Sequence, residues 1–141
     1  MRQILRSPEG YARAWGVIAI DGIHTDYENG GPGPQESALA RENLQVWEKY
    51  FRDAIAGRKR ALATHSEIFP GTFASTTETA DFLVRALDLK IHPVMKWGPM
   101  GTQQIGEVRA GRLLIMGFAG NSAPDHVDQL HSLPDYLELF R

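Results

Sequence analysis

Residues 91–106 read Ile91-His92-Pro93-Val94-Met95-Lys96-Trp97-Gly98-Pro99-Met100-Gly101-Thr102-Gln103-Gln104-Ile105-Gly106, and the path of the chain through them decides the fold. Ile91–Met95 is a strand-like run that empties into a turn with little side-chain bulk at Gly98 and Gly101. A short helix is expected to follow over Gln103–Arg109. A strand-to-helix junction of this kind aims backbone N–H groups and the positive end of a helix dipole into a cleft, which suits a phosphate or a carboxylate.

The flanking segments extend the pattern in both directions. Downstream, Leu113–Phe118 is a continuous apolar run and reads as a buried strand; upstream, Gly16–Ile20 is a second such run, closed by Asp21-Gly22. Leu44, Trp47, Phe51 and Ile55 recur at helical spacing until Gly57 stops the helix. Between these segments, Arg60–Thr64 and Gly71–Ser75 are equally good candidates for the second strand. Ser75 and Glu78 have capping-box spacing, and Ala80, Leu83, Val84 and Leu87 form an apolar stripe on the helix that follows. Val127 and Leu130 mark a further helix, redirected at Pro134. Residues 28–36, which include Asn29-Gly30-Gly31-Pro32-Gly33-Pro34, read as a flexible surface loop.

Strands alternating with helices predict an α/β fold: a three-layer sandwich around a mostly parallel sheet. Ligands in such sheets collect beyond the carboxyl ends of the strands. Asp21 and His24, the Ser75–Thr79 group, the Gly98–Thr102 turn and Gly120–Asp128 are therefore expected to share one rim.

With 141 residues, 43% of them apolar, the chain makes one domain over 1–141. A net charge of −2 from 15 basic and 17 acidic side chains provides no field for gathering nucleic acid. Arg58-Lys59-Arg60 is the only basic cluster and falls where a helix ends. There are no cysteines, so disulfides and thiolate chemistry drop out together. No signal peptide or membrane-spanning run is read, and the expected setting is cytoplasmic. His65, His92 and His131 form no metal-ligand pattern, so neither metal nor cofactor is expected.

The string GPMGTQQIGEVRAGRLLIMGF over residues 98–118, followed by Asn121 and Pro124-Asp125-His126-Val127-Asp128, resembles the central segment of methylglyoxal synthase, which eliminates phosphate from dihydroxyacetone phosphate. The same domain serves at the regulatory end of carbamoyl phosphate synthetase and in a purine-biosynthesis cyclohydrolase. The resemblance covers about residues 72–130. It implies a methylglyoxal synthase-like fold, a small phosphorylated metabolite as partner and a carbon–oxygen lyase. The alternative is a non-catalytic regulatory module binding a phosphorylated metabolite or nucleotide. Relative to the family pattern, a strand and helix beyond the Val127–Leu139 segment are missing, so residues 1–14 or a partner subunit are expected to cover an edge, and a homo-oligomer is expected.

The resemblance also distributes roles. Ser75, Thr76, Thr77 and Thr79, as plain sequence either helix caps or an anion grip, take the place of the family's phosphate-gripping threonines. The Gly98 turn takes the place of its second phosphate-facing element, with Trp97 where the family has serine. Thr102 stands where the family has its catalytic aspartate, and a threonine hydroxyl is no general base near neutral pH. Asp21 matches a family aspartate, while His24 either replaces a phosphate-facing lysine or is a plain loop histidine, with Lys96 as the nearest other cation. Asp128 matches the family's second carboxylate. The catalytic histidine falls at Asp125 by gap-free counting and at His126 after a one-residue shift. Read without the resemblance, Asp125 and Asp128 are first-turn partners of a helix dipole.

Overall fold

Apolar runs separated by turn residues pair into a single five-stranded sheet in the computed structural model, which describes residues 1–28 and 39–141. The strands are β1 (Gly16–Ala19), β2 (Arg60–Ser66), β3 (His92–Trp97), β4 (Gln103–Ala110) and β5 (Leu113–Ala119), in spatial order β1-β2-β5-β4-β3. The β1–β2 and β2–β5 pairs are parallel, whereas β5–β4 and β4–β3 are antiparallel. The sheet is therefore mixed and not mostly parallel. The cause is local: Ala110 pairs with Leu113 across the two-residue link Gly111-Arg112, and a parallel pair would need a crossover of about a dozen residues or more. Gly111 takes a φ of +57°, and a Cβ there would lie 2.1 Å from the Ile55 carbonyl oxygen, so the turn is pressed against the end of helix α3 (Arg41–Ile55).

The helix expected over Gln103–Arg109 is strand β4 instead. Gln104, Gly106 and Val108 are buried while Gln103, Ile105 and Glu107 are less so, a period of two. The ladder to β5 and the seat of Val108 in the core outweigh local helix preference. The expected strand at Ile91–Met95 is present as β3, but at the sheet edge. Of the two candidates for the second strand, the chain uses Arg60–Ser66; the alternative segment is a loop outside the sheet, with an isolated bridge between Ala74 and Thr25.

Alternate residues of the central strands feed two cores. Ala61, Ala63, Leu113 and Ile115 face Leu5 of α1 (Arg2–Arg6), Leu44, Trp47 and Phe51 of α3, and Leu83 and Val84 of α4 (Thr76–Ala86). Leu62, Leu114, Met116 and Phe118 face the other way, onto Tyr136 and Phe140 of α6 (Leu133–Phe140). Each large side chain fully buried in this way contributes about 1.5–3 kcal/mol. Helices thus cover both faces of an α/β sheet. Short α2 (Pro8–Arg13) joins α1 to β1, and α5 (Ala123–His131) precedes α6.

The Ser75–Glu78 capping box forms, and Ala80, Leu83, Val84 and Leu87 are all buried. On α5 the expected apolar face is reversed: Val127 and Leu130 are exposed and Gln129 faces inward, its Oε1 accepting from the Tyr136 hydroxyl at 2.6 Å. The loop expected over 28–36 lies outside the described residues from position 29 onward. Among the described residues, no helix is long and apolar enough to cross a membrane.

Candidate functional site

Just past β1 the backbone of Asp21 takes a φ of +41°, a left-handed conformation that aspartate tolerates better than most side chains. Its N–H donates to Thr64 Oγ1 at 2.9 Å, and its carboxylate turns inward until the residue is 5% exposed. Four donors meet that carboxylate. The Ser66 N–H and hydroxyl, at the end of β2, donate at 3.0 and 2.6 Å; the Thr76 hydroxyl, in the first turn of α4, donates at 2.5 Å; and His126 Nδ1, on α5, lies at 2.8 Å. One carboxylate thereby ties together the starts of two helices and the ends of two strands. Burial pushes its pKa up, but the hydrogen bonds from Ser66, Thr76 and His126 outweigh burial and hold it below its ordinary value of 3.8.

An ionised partner at Nδ1 assigns the His126 proton to that nitrogen and leaves Nε2 as the free one. The His126 side chain is 41% exposed and lines an open cleft of about 420 Å³. Asp21, Ser75 and Thr76 form the polar side of this cleft, and Ile68, Pro70, Phe73 and Ala123 the apolar side. His24 lines it too, its ring centroid 5.3 Å from that of Phe73. A buried carboxylate that orients an imidazole, with the second ring nitrogen left for a ligand, is equipped for general acid–base chemistry.

No family model, curated protein or solved structure matches this chain.

Ser75, Thr76, Thr77 and Thr79 come together at the start of α4, and each hydroxyl has a protein acceptor. Ser75 donates to Glu78 Oε2 at 2.7 Å, Thr76 to Asp21, Thr77 to the Ser66 carbonyl at 2.6 Å, and Thr79 to the Ile23 carbonyl. Because Thr77 gives its proton to Ser66, it accepts from His65 Nδ1, 2.9 Å away. Burial holds the His65 pKa below its ordinary value, against the opposing charges of Asp81 and Asp21. The Glu78 carboxylate also accepts the Ser75 N–H at 2.8 Å, so the helix start already holds an anion of its own.

Trp97, Gly98 and Thr102 make no hydrogen bond to this network, although the turn they flank packs against α5. Pro99–Gly101 is a single 3-10 turn with Met100 at φ +55° and Gly101 at φ +74°, and it leads straight into β4. The helix dipole expected at this turn is therefore missing. The Gly98 N–H donates to the Thr102 carbonyl at 2.6 Å and the Thr102 hydroxyl to the Pro99 carbonyl at 2.6 Å, which closes the turn on itself. Trp97 projects from the edge strand, 78% exposed.

Of the Asp125, His126 and Asp128 cluster, only His126 reaches Asp21. Asp125 Oδ2 accepts from the Asn121 and Ser122 amides and the Ser122 hydroxyl, and those bonds, the Ser122 hydroxyl first, lower its pKa. Asp128 is two residues beyond His126, about 200° around the helix. Ser66 and Phe73 escaped the sequence reading. Ser66 was hidden by the open choice of second strand, and nothing local marks Phe73 as a cleft wall.

Proposed function

We propose that this chain is a methylglyoxal synthase-like carbon–oxygen lyase acting on a small phosphorylated ketose such as dihydroxyacetone phosphate. The observation that carries the reading is the 2.8 Å contact between Asp21 Oδ2 and His126 Nδ1 beside an open cleft. His126 Nε2 takes a proton from the hydroxymethyl carbon next to the substrate carbonyl, and the electron pair moves onto the carbonyl oxygen to give an enediolate. Collapse of the enediolate breaks the carbon–oxygen bond to phosphate, which leaves with the bonding pair. The resulting enol takes up a proton at carbon from the His126 imidazolium and gives up its hydroxyl proton to the departing phosphate, becoming the ketoaldehyde. Asp21 favours the imidazolium formed in the first step, and such proton transfer contributes on the order of 100- to 10,000-fold in rate. With Thr102 in place of a carboxylate, His126 is the base.

A second reading, a regulatory module that binds a phosphorylated metabolite or nucleotide without turnover, draws on the Thr102 hydroxyl being engaged at Pro99. Incubation with dihydroxyacetone phosphate separates the two. Release of inorganic phosphate together with ketoaldehyde supports the lyase, whereas saturable binding with no release at high protein concentration overturns it in favour of the module.

A further inference from the structure

A phosphorylated ligand needs cationic partners, and the threonine row supplies none. Apart from His126, the only side chain among the described residues able to carry positive charge along the 420 Å³ cleft is His24. On the far side of His24 the surface continues into a second chamber of about 330 Å³, lined by Arg2, Gly22, Asp26 and Trp47. His24 borders both spaces and Gly22 directly follows Asp21, so the two chambers adjoin at His24.

Arg2 and Arg6 lie one turn apart on α1 and differ in their engagements. Arg6 donates to Asn43 Oδ1 at 3.1 Å and to the Glu42 carbonyl at 3.3 Å. Arg2 is half-buried and enters no side-chain hydrogen bond or ion pair with any described residue. Among the described residues Asp26 is the one carboxylate lining the second chamber. A guanidinium is a planar fork of donors that matches phosphate oxygens two at a time, and an unengaged one beside a concave surface is a receptor without its acceptor.

We propose that Arg2, aided by His24, holds the phosphate of the ligand in the second chamber while the reacting carbons extend to His126. The assignment of the reacting end rests on the proposed lyase function; the anion site does not.

The test measures binding of inorganic phosphate by calorimetry to the wild type and to Arg2→Gln, Arg2→Lys and Arg6→Gln, each first checked for an unchanged urea midpoint. Arg2→Gln is expected to weaken phosphate on the order of tenfold or more, the usual worth of a charge-assisted contact. Arg2→Lys is expected to fall between Arg2→Gln and wild type, and Arg6→Gln to stay within about twofold of wild type. Equal affinity in Arg2→Gln and wild type, or no phosphate binding by the wild type, overturns the site. Kinetics with dihydroxyacetone phosphate keep the two proposals apart. Turnover with a KM raised about tenfold in Arg2→Gln at nearly constant kcat supports both; turnover with an unmoved KM overturns the Arg2 site alone; and Arg2-dependent phosphate binding without turnover overturns the lyase alone.

Discussion

The parallel half of the sheet, β1, β2 and β5, and the antiparallel half, β4 and β3, start from comparable runs of sequence and end in different states. In the parallel half the strands are covered on both faces, and their carboxyl ends meet the starts of α4 and α5, where Asp21, Ser66, Thr76 and His126 gather. In the antiparallel half Met95 is 87% and Trp97 78% exposed. Its charged groups pair with one another: Glu107 accepts from Lys96 at 3.1 Å and from Arg109 at 2.6 Å. Place in the sheet, more than the apolarity of a run, decides burial. The candidate site forms where strand ends and helix starts bring polar groups together to satisfy one another.

The sharpest way to break this contrast is to compare His126→Ala with Trp97→Ala. The first is expected to slow phosphate release from dihydroxyacetone phosphate on the order of 100-fold or more and to lower the urea midpoint through the lost hydrogen bond to Asp21, and the second to leave the rate within about twofold. Equal losses would mean that the hairpin belongs to the site after all.

Asp21→Ala leaves the donors of Ser66 and Thr76 without their acceptor and is expected to cost roughly 2–4 kcal/mol in urea unfolding. Glu107→Ala removes ion pairs whose basic partners are largely exposed, and less than about 1 kcal/mol is expected. This gap holds even though hydrogen bonds, that from Arg109 first, bring the Glu107 pKa down to about 2. If Glu107→Ala costs as much as Asp21→Ala, burial is not what distinguishes the two halves. Gly111→Ala probes the seam between them: a Cβ would meet the Ile55 carbonyl, at a φ that already disfavours alanine, so a loss of about 2–3 kcal/mol is expected. A smaller loss would show that the β4–β5 turn yields without disturbing α3.

The smallest effect concerns acid. His65 has a depressed pKa, so the unfolded chain binds its proton more readily than the folded one. Its contribution to stability is full above the ordinary value of 6.5 and declines as pH falls below it. Asp21, depressed from 3.8 by Ser66, Thr76 and His126 against its burial, adds a second decline only as pH falls below that value. Urea midpoints measured between pH 7 and 5 should therefore fall in the wild type and stay level in His65→Gln. An identical slope in both proteins would remove His65 as the cause.

Local signals carried much of the fold. The helix α4 was legible because Ser75 and Glu78 cap it and its apolar stripe has one spacing, and β5 because its apolar run is unbroken. The β4 strand was not, since Gly106 and two glutamines weaken its alternation and an expected helix dipole gave the preceding turn a purpose. The signal that would have corrected this was Gly111-Arg112, a two-residue link between two runs. At the site, Asp21 was legible as a polar residue ending a strand. The choice between Asp125 and His126 was also within reach: Ser122 and Asp125 repeat the three-residue offset of Ser75 and Glu78, which commits Asp125 to the helix start. Thr77, by contrast, finds its partners His65 and Ser66 only after β2 is in place, a contact between segments that no spacing announces.

The three indoles divide between two surroundings: Trp15 and Trp97 face solvent, whereas Trp47 is buried and contributes a wall to the chamber beside Arg2. Excited tryptophan emits at shorter wavelength in apolar surroundings, so the blue edge of the emission belongs mainly to Trp47. The molecule thus contains an optical gauge at the place where an anion would enter, and with Trp15 and Trp97 replaced by phenylalanine, titration with phosphate becomes a change in colour and intensity from that one wall.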